Sequence, residues 1–240
     1  MTDLLLVHGS CHGSWCWRDV LPQLEARGVN ARTIDLPGPR IGGNARGCDP
    51  VAVTLEETVA AVRDAARSET IVVGHSWAGY PISAAADIGP PLRGLIYLCA
   101  YVPWNGLSMI DMRKRGPSQP LIGKVLKTAD GQSYCFDPEA APDLLYHDCP
   151  RSVVDYALSR LAPQPIRPQD TPVKLGPQWA ATPKAYIRCT QDRVIPPEYQ
   201  AEMVADWPTD RVKNLDTSHS PFFAAPDQLA TVMATLVKDL

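Results

Sequence analysis

Short apolar runs alternate along this chain with segments whose apolar residues recur at helical spacing. Strands are predicted for the runs 3–7, 29–36, 70–75, 93–101, 184–189 and 211–215. Helices are predicted for 14–27, 54–67, a segment ending near 87, 196–205 and 225–240. Nearly continuous apolar strands between helices are typical of a parallel sheet covered on both faces. The pattern therefore predicts an α/β fold.

The segment 103–182 breaks this alternation. The chain has 24 prolines, and many lie here among scattered apolar residues with no clear strand. Because proline lacks an N–H and interrupts regular structure, we expect irregular chain and short helices. We interpret 1–240 as a single domain in which a small, mainly helical cap is inserted at about 103–182.

Composition excludes several classes of protein. Hydrophobic residues make up 45% and charged residues 20% of the chain, a balance typical of globular proteins. The net charge of -3 offers no basic field to a nucleic acid. The apolar runs fall short of the ~18 residues that a membrane span requires. Without a basic stretch at Met1-Thr2-Asp3, and with seven cysteines in no framework spacing, we expect a cytoplasmic protein with reduced thiols.

The stretch 70–80 carries the strongest sign of chemistry. A β-branched run leads into Gly74-His75-Ser76-Trp77-Ala78, and small and apolar residues follow as in a helix. This is the sequence form of a nucleophile elbow, a tight strand-to-helix turn that presents a serine hydroxyl. Ala78 stands where the usual pattern has glycine, but it is small enough for the turn. On this motif alone, the alternative is a buried serine in an ordinary strand-turn-helix.

The serine hydroxyl needs a base within reach and a third group that orients the base. Asp192 and His219 each follow a predicted strand, and the carboxyl ends of parallel strands meet at one edge of the sheet. The order Ser76, Asp192, His219 is the one that hydrolases of this fold require. Asp216 is too close in sequence to reach around the ring of His219, and Asp206 is predicted to lie within a helix. For the oxyanion of the reaction, we expect N–H donors from two other places, the residue after the serine and the first loop.

Four segments resemble one family: 8–17 (HGSCHGSWCW), 74–79 (GHSWAG), 189–192 (CTQD) and 218–221 (SHSP). Together with Phe136-Asp137-Pro138, they make nearly the whole chain similar to the α/β-hydrolase branch of plant methylesterases, plant hydroxynitrile lyases and related bacterial carboxylesterases. The resemblance implies the nucleophile Ser76, the base His219, the orienting acid Asp192, and the oxyanion donors Ser10 and Trp77.

Two departures within this branch favour an esterase over a lyase. The lyases have a threonine after the first-loop histidine, and after the catalytic histidine a lysine that holds the nitrile or cyanide. Here these positions are Gly9 and Ser220. Because cyanide would have no charge partner, we expect a serine carboxylesterase that hydrolyses small apolar or aromatic esters through an acyl-enzyme, with methyl esters as one candidate.

Contact with the substrate is expected from residues beside the catalytic groups and from aromatic residues of the cap. The candidates are Gly9, Tyr80, Trp104, Phe136, Ser220 and Phe222. For Tyr80 and Phe222 the alternative is contact with the cap alone.

Other assignments are disfavoured or stay open. His8, Cys11, His12 and Cys16 could be drawn as a zinc cluster, but the same loop is needed for an oxyanion donor, and we expect no metal or other cofactor. The glycines of 37–50 lack the spacing of a phosphate-binding loop. A hydroxynitrile lyase, a small-molecule receptor and a cofactor-free dioxygenase on the same fold are the alternative functions. The expected partner is a small ester, and the sequence is compatible with a homodimer.

Overall fold

The computed structural model describes residues 3–38 and 53–240. Six strands form one parallel sheet in the order β2-β1-β3-β4-β8-β9. These strands are β1 (Asp3–Val7), β2 (Asn30–Ile34), β3 (Thr70–His75), β4 (Gly94–Leu98), β8 (Lys184–Cys189) and β9 (Val212–Leu215). The predicted sheet is confirmed. Most of the glycine-rich loop 37–50 lies outside the described residues.

The central strands are apolar on both faces because helices cover both sides of the sheet. β1, β3 and β4 carry wholly buried apolar side chains, such as Leu5, Val72 and Ile96. The core helices are α1 (Leu21–Glu25), α2 (Leu55–Ala65), α3 (Gly79–Ile88), α9 (Pro197–Met203), α10 (Pro221–Ala224) and α11 (Pro226–Asp239). Helix α1 packs against α11, and α3 packs against α2. The predicted α/β fold, with helices on both faces of the sheet, is therefore confirmed.

Local sequence sets where the core helices begin. Thr54 caps α2: its hydroxyl accepts from the Glu57 N–H at 3.2 Å, and Glu57 accepts from the Thr54 N–H at 2.9 Å. The single helix predicted for 14–27 is wrong. The segment contains a 3₁₀ helix, Ser14–Trp17, followed by α1, which has Pro22 in its first turn. Proline fits that turn because the N–H it lacks would have no partner there.

The segment between β4 and β8 contains both helices and strands. Its helices are α4 (Met109–Arg115), α5 (Ala141–Tyr146), α6 (Arg151–Leu158), α7 (Arg167–Asp170) and α8 (Pro177–Ala181). A small antiparallel sheet is formed by β5 (Val125–Lys127), β6 (Ser133–Phe136) and β7 (Gln164–Pro165). The expectation of no strand here is wrong, because strands this short leave no alternation to detect. We propose that 103–182 acts as the cap of a single domain, and call it the cap segment.

None of the helices in the two described ranges has the length and apolar character needed to cross a membrane.

Candidate active site

Ser76 lies in a strained turn between β3 and α3. Its φ is 57°, a left-handed conformation that costs free energy in any residue except glycine. Ala78 is fully buried in this turn. The glycine that the turn requires lies one position later, because a Cβ at Gly79 would stand 1.9 Å from the Tyr101 carbonyl oxygen. The elbow therefore tolerates alanine at 78 because Gly79 makes the close backbone approach.

The predicted triad residues form one chain of hydrogen bonds. Ser76 Oγ lies 3.0 Å from His219 Nε2, and His219 Nδ1 lies 2.7 Å from Asp192 Oδ2. All three side chains are buried. Because the carboxylate only accepts, Nδ1 carries the ring proton and leaves Nε2 to accept from the serine hydroxyl. This is the arrangement that general-base activation of a serine needs.

The carboxylate of Asp192 is held at both oxygens. Oδ1 accepts from the backbone N–H groups of Val194 at 2.7 Å and Ile195 at 2.9 Å. Oδ2 accepts from Gln200 Nε2 at 2.9 Å as well as from His219. Gln200 is itself fully buried and accepts from the Cys189 N–H, so it is fixed against β8. Sequence reasoning missed Gln200, because a single glutamine in a helix has no distinguishing pattern.

The rival acids lie elsewhere. Asp216 accepts from Thr190 and Gln191 at the surface, and these hydrogen bonds lower the pKa of its carboxyl group. Asp206 follows the end of α9 rather than lying within a helix. Asp192 is therefore the acid that the fold brings to His219.

His75 supports the backbone of His219. Its Nε2–H donates to the His219 carbonyl at 2.8 Å, and the two rings lie 4.7 Å apart. Burial lowers the pKa of His75 well below its usual value, so the ring is neutral. A Cβ at Gly9 would lie 2.5 Å from His75 Nδ1. The elbow therefore leaves no room for a side chain at Gly9.

A metal ion bound beside the triad would compete with the hydrogen bonds of His219. His75, Cys99 and His219 offer ligand atoms within 4.8 Å of one another. However, both ring nitrogens of His219 are already engaged with Ser76 and Asp192. In the first loop, the ring nitrogens of His8 contact the Gly9 carbonyl and the Leu36 N–H. The donor sets therefore fit protein hydrogen bonds better than a metal ion.

The predicted oxyanion donors come from two separate segments of the chain that line the same cavity as Ser76. Trp77 lies in the first turn after the serine, where backbone N–H groups have no partner within the helix. Ser10 belongs to the loop after β1, which neighbours β3 in the sheet. The Ser10 carbonyl accepts from His12 Nδ1 at 2.8 Å. Burial lowers the pKa of His12 to about 3, so this contact is made by a neutral ring.

A buried glutamine of the cap segment joins the Ser10 loop to the small sheet. Gln169 Nε2 donates to Ser10 Oγ at 2.7 Å, and Gln169 Oε1 accepts from the Tyr134 hydroxyl at 3.1 Å. Gln169 is 1% exposed. The cap segment therefore fixes the loop that carries a predicted oxyanion donor, an arrangement that the sequence did not indicate.

A cavity opens above Ser76. Its floor includes Ser10, Ser76, Trp77 and His219. The cap segment contributes the side chains of Met109, Arg113, Leu121, Tyr134, Phe136 and Leu145. Of the predicted substrate-contact residues, Phe136 lies on this wall.

The other candidates for substrate contact occupy packing positions. The Tyr80 hydroxyl donates to the Leu107 carbonyl at 3.3 Å, and Trp104 packs edge-on against Tyr199. Phe222 is fully buried, 5.0 Å from the ring of His75. Ser220 is fully buried next to His219, and Gly9 lies against the His75 ring of the elbow. The structure does not bring these five residues to the cavity wall.

The fold agrees with comparisons to known proteins. A model of the alpha/beta hydrolase family matches residues 4–232. The chain belongs to this family. Methylesterase 17 of Arabidopsis thaliana is 30% identical over 92% of this chain and 86% of that protein. The pyrethroid hydrolase of Sphingobium wenxiniae is 29% identical over 98% of this chain and 87% of that protein.

Solved structures in this family have the same architecture. A crystal structure of a pyrethroid hydrolase from Sphingobium faniae JZ-2 superimposes with a TM-score of 0.83 at 26% identity. The match covers 99% of this chain and 97% of that one. The resemblance to the esterase branch of the alpha/beta hydrolases is confirmed.

Proposed function

We propose that this hydrolase is a serine carboxylesterase. The observation that carries the proposal is the buried chain of hydrogen bonds from Ser76 through His219 to Asp192, at the floor of a cavity. The similarity to methylesterases and to pyrethroid hydrolases supports cleavage of a carboxylic ester. The sequence-based location in the cytoplasm and the homodimer stay predictions.

The proposed reaction gives each of these groups a role. Ser76 Oγ attacks the ester carbonyl while His219 Nε2 takes its proton, and Asp192 stabilises the imidazolium that forms. The N–H groups of Ser10 and Trp77 bind the oxyanion. His219 then protonates the departing alcohol, and an acyl group stays on Ser76. Water, deprotonated by His219, releases the carboxylic acid and restores the serine.

The substrate is a small ester with an apolar or aromatic portion. Apolar and aromatic residues such as Met109, Leu121 and Phe136 dominate the cap side of the cavity. Methyl esters are the first candidates, because several similar proteins are methylesterases. We find no observation that favours a lyase, since the residue after His219 is the buried, uncharged Ser220.

Hydrolysis of p-nitrophenyl acetate tests the function. We expect a burst of p-nitrophenol followed by rapid steady-state turnover, and loss of both in Ser76→Ala. The exposed Ser152 provides a matched control, since Ser152→Ala leaves the cavity untouched. Slow or absent turnover would support the receptor alternative. Oxidation of an aromatic heterocycle by Ser76→Ala, or cyanide release from a cyanohydrin by the parent protein, would replace the esterase with a dioxygenase or a lyase.

A further inference from the structure

One cavity residue has a property that an apolar ester does not explain. Arg113 lies in the last turn of α4, and its half-buried side chain lines the same cavity as Ser76 and His219. Of the described residues that line this cavity, it is the one Arg, Lys, Asp or Glu. An arginine is charged at every pH at which proteins fold.

The charge of Arg113 has no anionic partner among the residues that the structure describes. Among residues 3–38 and 53–240, Arg113 forms no ion pair with a carboxylate. Its charge acts instead on Tyr101 and Tyr134, two phenols of the cavity wall. Burial outweighs this effect and raises the pKa of both hydroxyls, so both stay neutral. The guanidinium therefore faces uncharged groups.

Complementing the dipole of α4 does not by itself explain why Arg113 lines the cavity. Lys114 and Arg115 also lie in the last turn of α4, and both are exposed to solvent. They act electrostatically on Asp111 in the first turn of the helix. Because both side chains lie in the last turn, they already complement the negative, carboxyl-terminal end of the helix dipole. Only Arg113 of the three lines the cavity.

Arg113 also marks the boundary between the cavity and an outer depression. That depression is lined by Arg113, Gln119, Leu121, Ile122, Gly123 and Val125. Arg113 and Leu121 are thus shared by the inner cavity and the outer depression. A molecule whose ester group lies at Ser76 and which extends toward this depression passes the guanidinium.

We propose that Arg113 is a subsite for a carboxylate carried by the substrate, at the end remote from the ester that Ser76 attacks. The substrate class is then a half-ester: an apolar chain or ring with one esterified and one free carboxyl group. The inference rests on the proposed esterase function and specifies its substrate. Arginine suits this role because its planar fork of N–H donors binds a carboxylate through two parallel hydrogen bonds.

Matched pairs of methyl esters test the subsite. Methanol release is measured for monomethyl esters of straight-chain dicarboxylic acids, from succinate to suberate, and for methyl esters of monocarboxylic acids of the same length. We expect at least one half-ester to exceed its neutral counterpart about tenfold or more in kcat/KM, the size of a charged hydrogen bond. Arg113→Gln should remove this ratio, Arg113→Lys should keep part of it, and the control Arg115→Gln should keep all of it. A ratio near one in the parent protein, or a ratio that survives Arg113→Gln, overturns the subsite.

A binding measurement separates this subsite from the esterase reaction. Titration calorimetry with the Ser76→Ala variant compares monomethyl adipate with methyl hexanoate. We expect the half-ester to bind about tenfold or more tightly, and Ser76→Ala/Arg113→Gln to lose this difference. Equal binding of the two esters overturns the subsite even where p-nitrophenyl acetate is turned over. Preferential binding without any turnover supports the subsite and contradicts the esterase.

Discussion

The floor and the cap wall of the cavity are built in different ways. The floor is formed by residues that follow β1, β3, β8 and β9, strands whose parallel pairing places their carboxyl ends at one edge. The cap wall comes from the short helices α4 and α5, from the four-residue strand β6 and from Leu121 in a turn. The sheet therefore determines where the reacting groups stand, and local packing of the cap segment determines what they meet. Reaction type and specificity have separate structural origins in this molecule.

The largest effect is expected on the floor. His219→Ala and Ser76→Ala should each lower kcat for ester hydrolysis at least about a thousandfold, because a nucleophile and its base act as a unit. Turnover of p-nitrophenyl acetate measures this loss. His147→Ala in the cap segment gives a matched control, since the His147 ring donates to the Asp143 carbonyl and does not line the cavity. A rate within tenfold of the parent for either triad variant would contradict the assigned roles.

The same contrast explains how much could be predicted from the sequence. Ser76, Asp192 and His219 could be found because each follows a strand that the sequence pattern predicts. Arg113 and Gln169 could not, because they lie in helices of seven and four residues. Helices this short have no clear periodicity, and tertiary contacts decide which side chain faces inward. Trp104 and Phe222 show the reverse, since being aromatic and near the site in sequence does not by itself place a side chain on the cavity wall.

The next effect is expected on stability, at the close backbone contact of the elbow. Gly79→Ala should lower the free energy of unfolding by about 3 kcal/mol or more, because a Cβ there would lie 1.9 Å from the Tyr101 carbonyl. Urea unfolding followed by circular dichroism measures the change. Ala78→Gly, one residue earlier, is the matched comparison and should cost about 1 kcal/mol. Equal effects at 78 and 79 would show that the close approach at Gly79 is unimportant.

A smaller effect is expected behind the floor, at Gln200. Gln200→Leu removes the side-chain N–H that Asp192 Oδ2 accepts, while the two backbone donors to Oδ1 remain. We expect kcat to fall about tenfold, equivalent to about 1.4 kcal/mol of barrier, with little change in KM. The exposed Gln191 provides the control variant Gln191→Leu. A rise in KM with an unchanged kcat would mean that Gln200 shapes the cavity rather than positions the acid.

The smallest effect is expected where the cap segment touches the floor. Gln169 is the buried link between Tyr134 of the small sheet and the hydroxyl of Ser10. Gln169→Leu should lower kcat/KM by severalfold, because two buried hydroxyls lose their partner. Gln169→Glu keeps the length of the side chain but places a negative charge beside the predicted oxyanion site.

The two variants at Gln169 separate packing from electrostatics. If the Ser10 loop stabilises an oxyanion, Gln169→Glu should reduce kcat further than Gln169→Leu, by about tenfold relative to the parent, since a like charge opposes the developing one. Steady-state kinetics on one methyl ester, at a pH above the pKa of a free carboxyl group, measures the loss in both variants. Equal losses in the two variants would mean that Gln169 only holds the cap segment in place. A larger loss with glutamate would mean that the cap segment, although it contributes no member of the triad, acts on the reacting charge through Ser10.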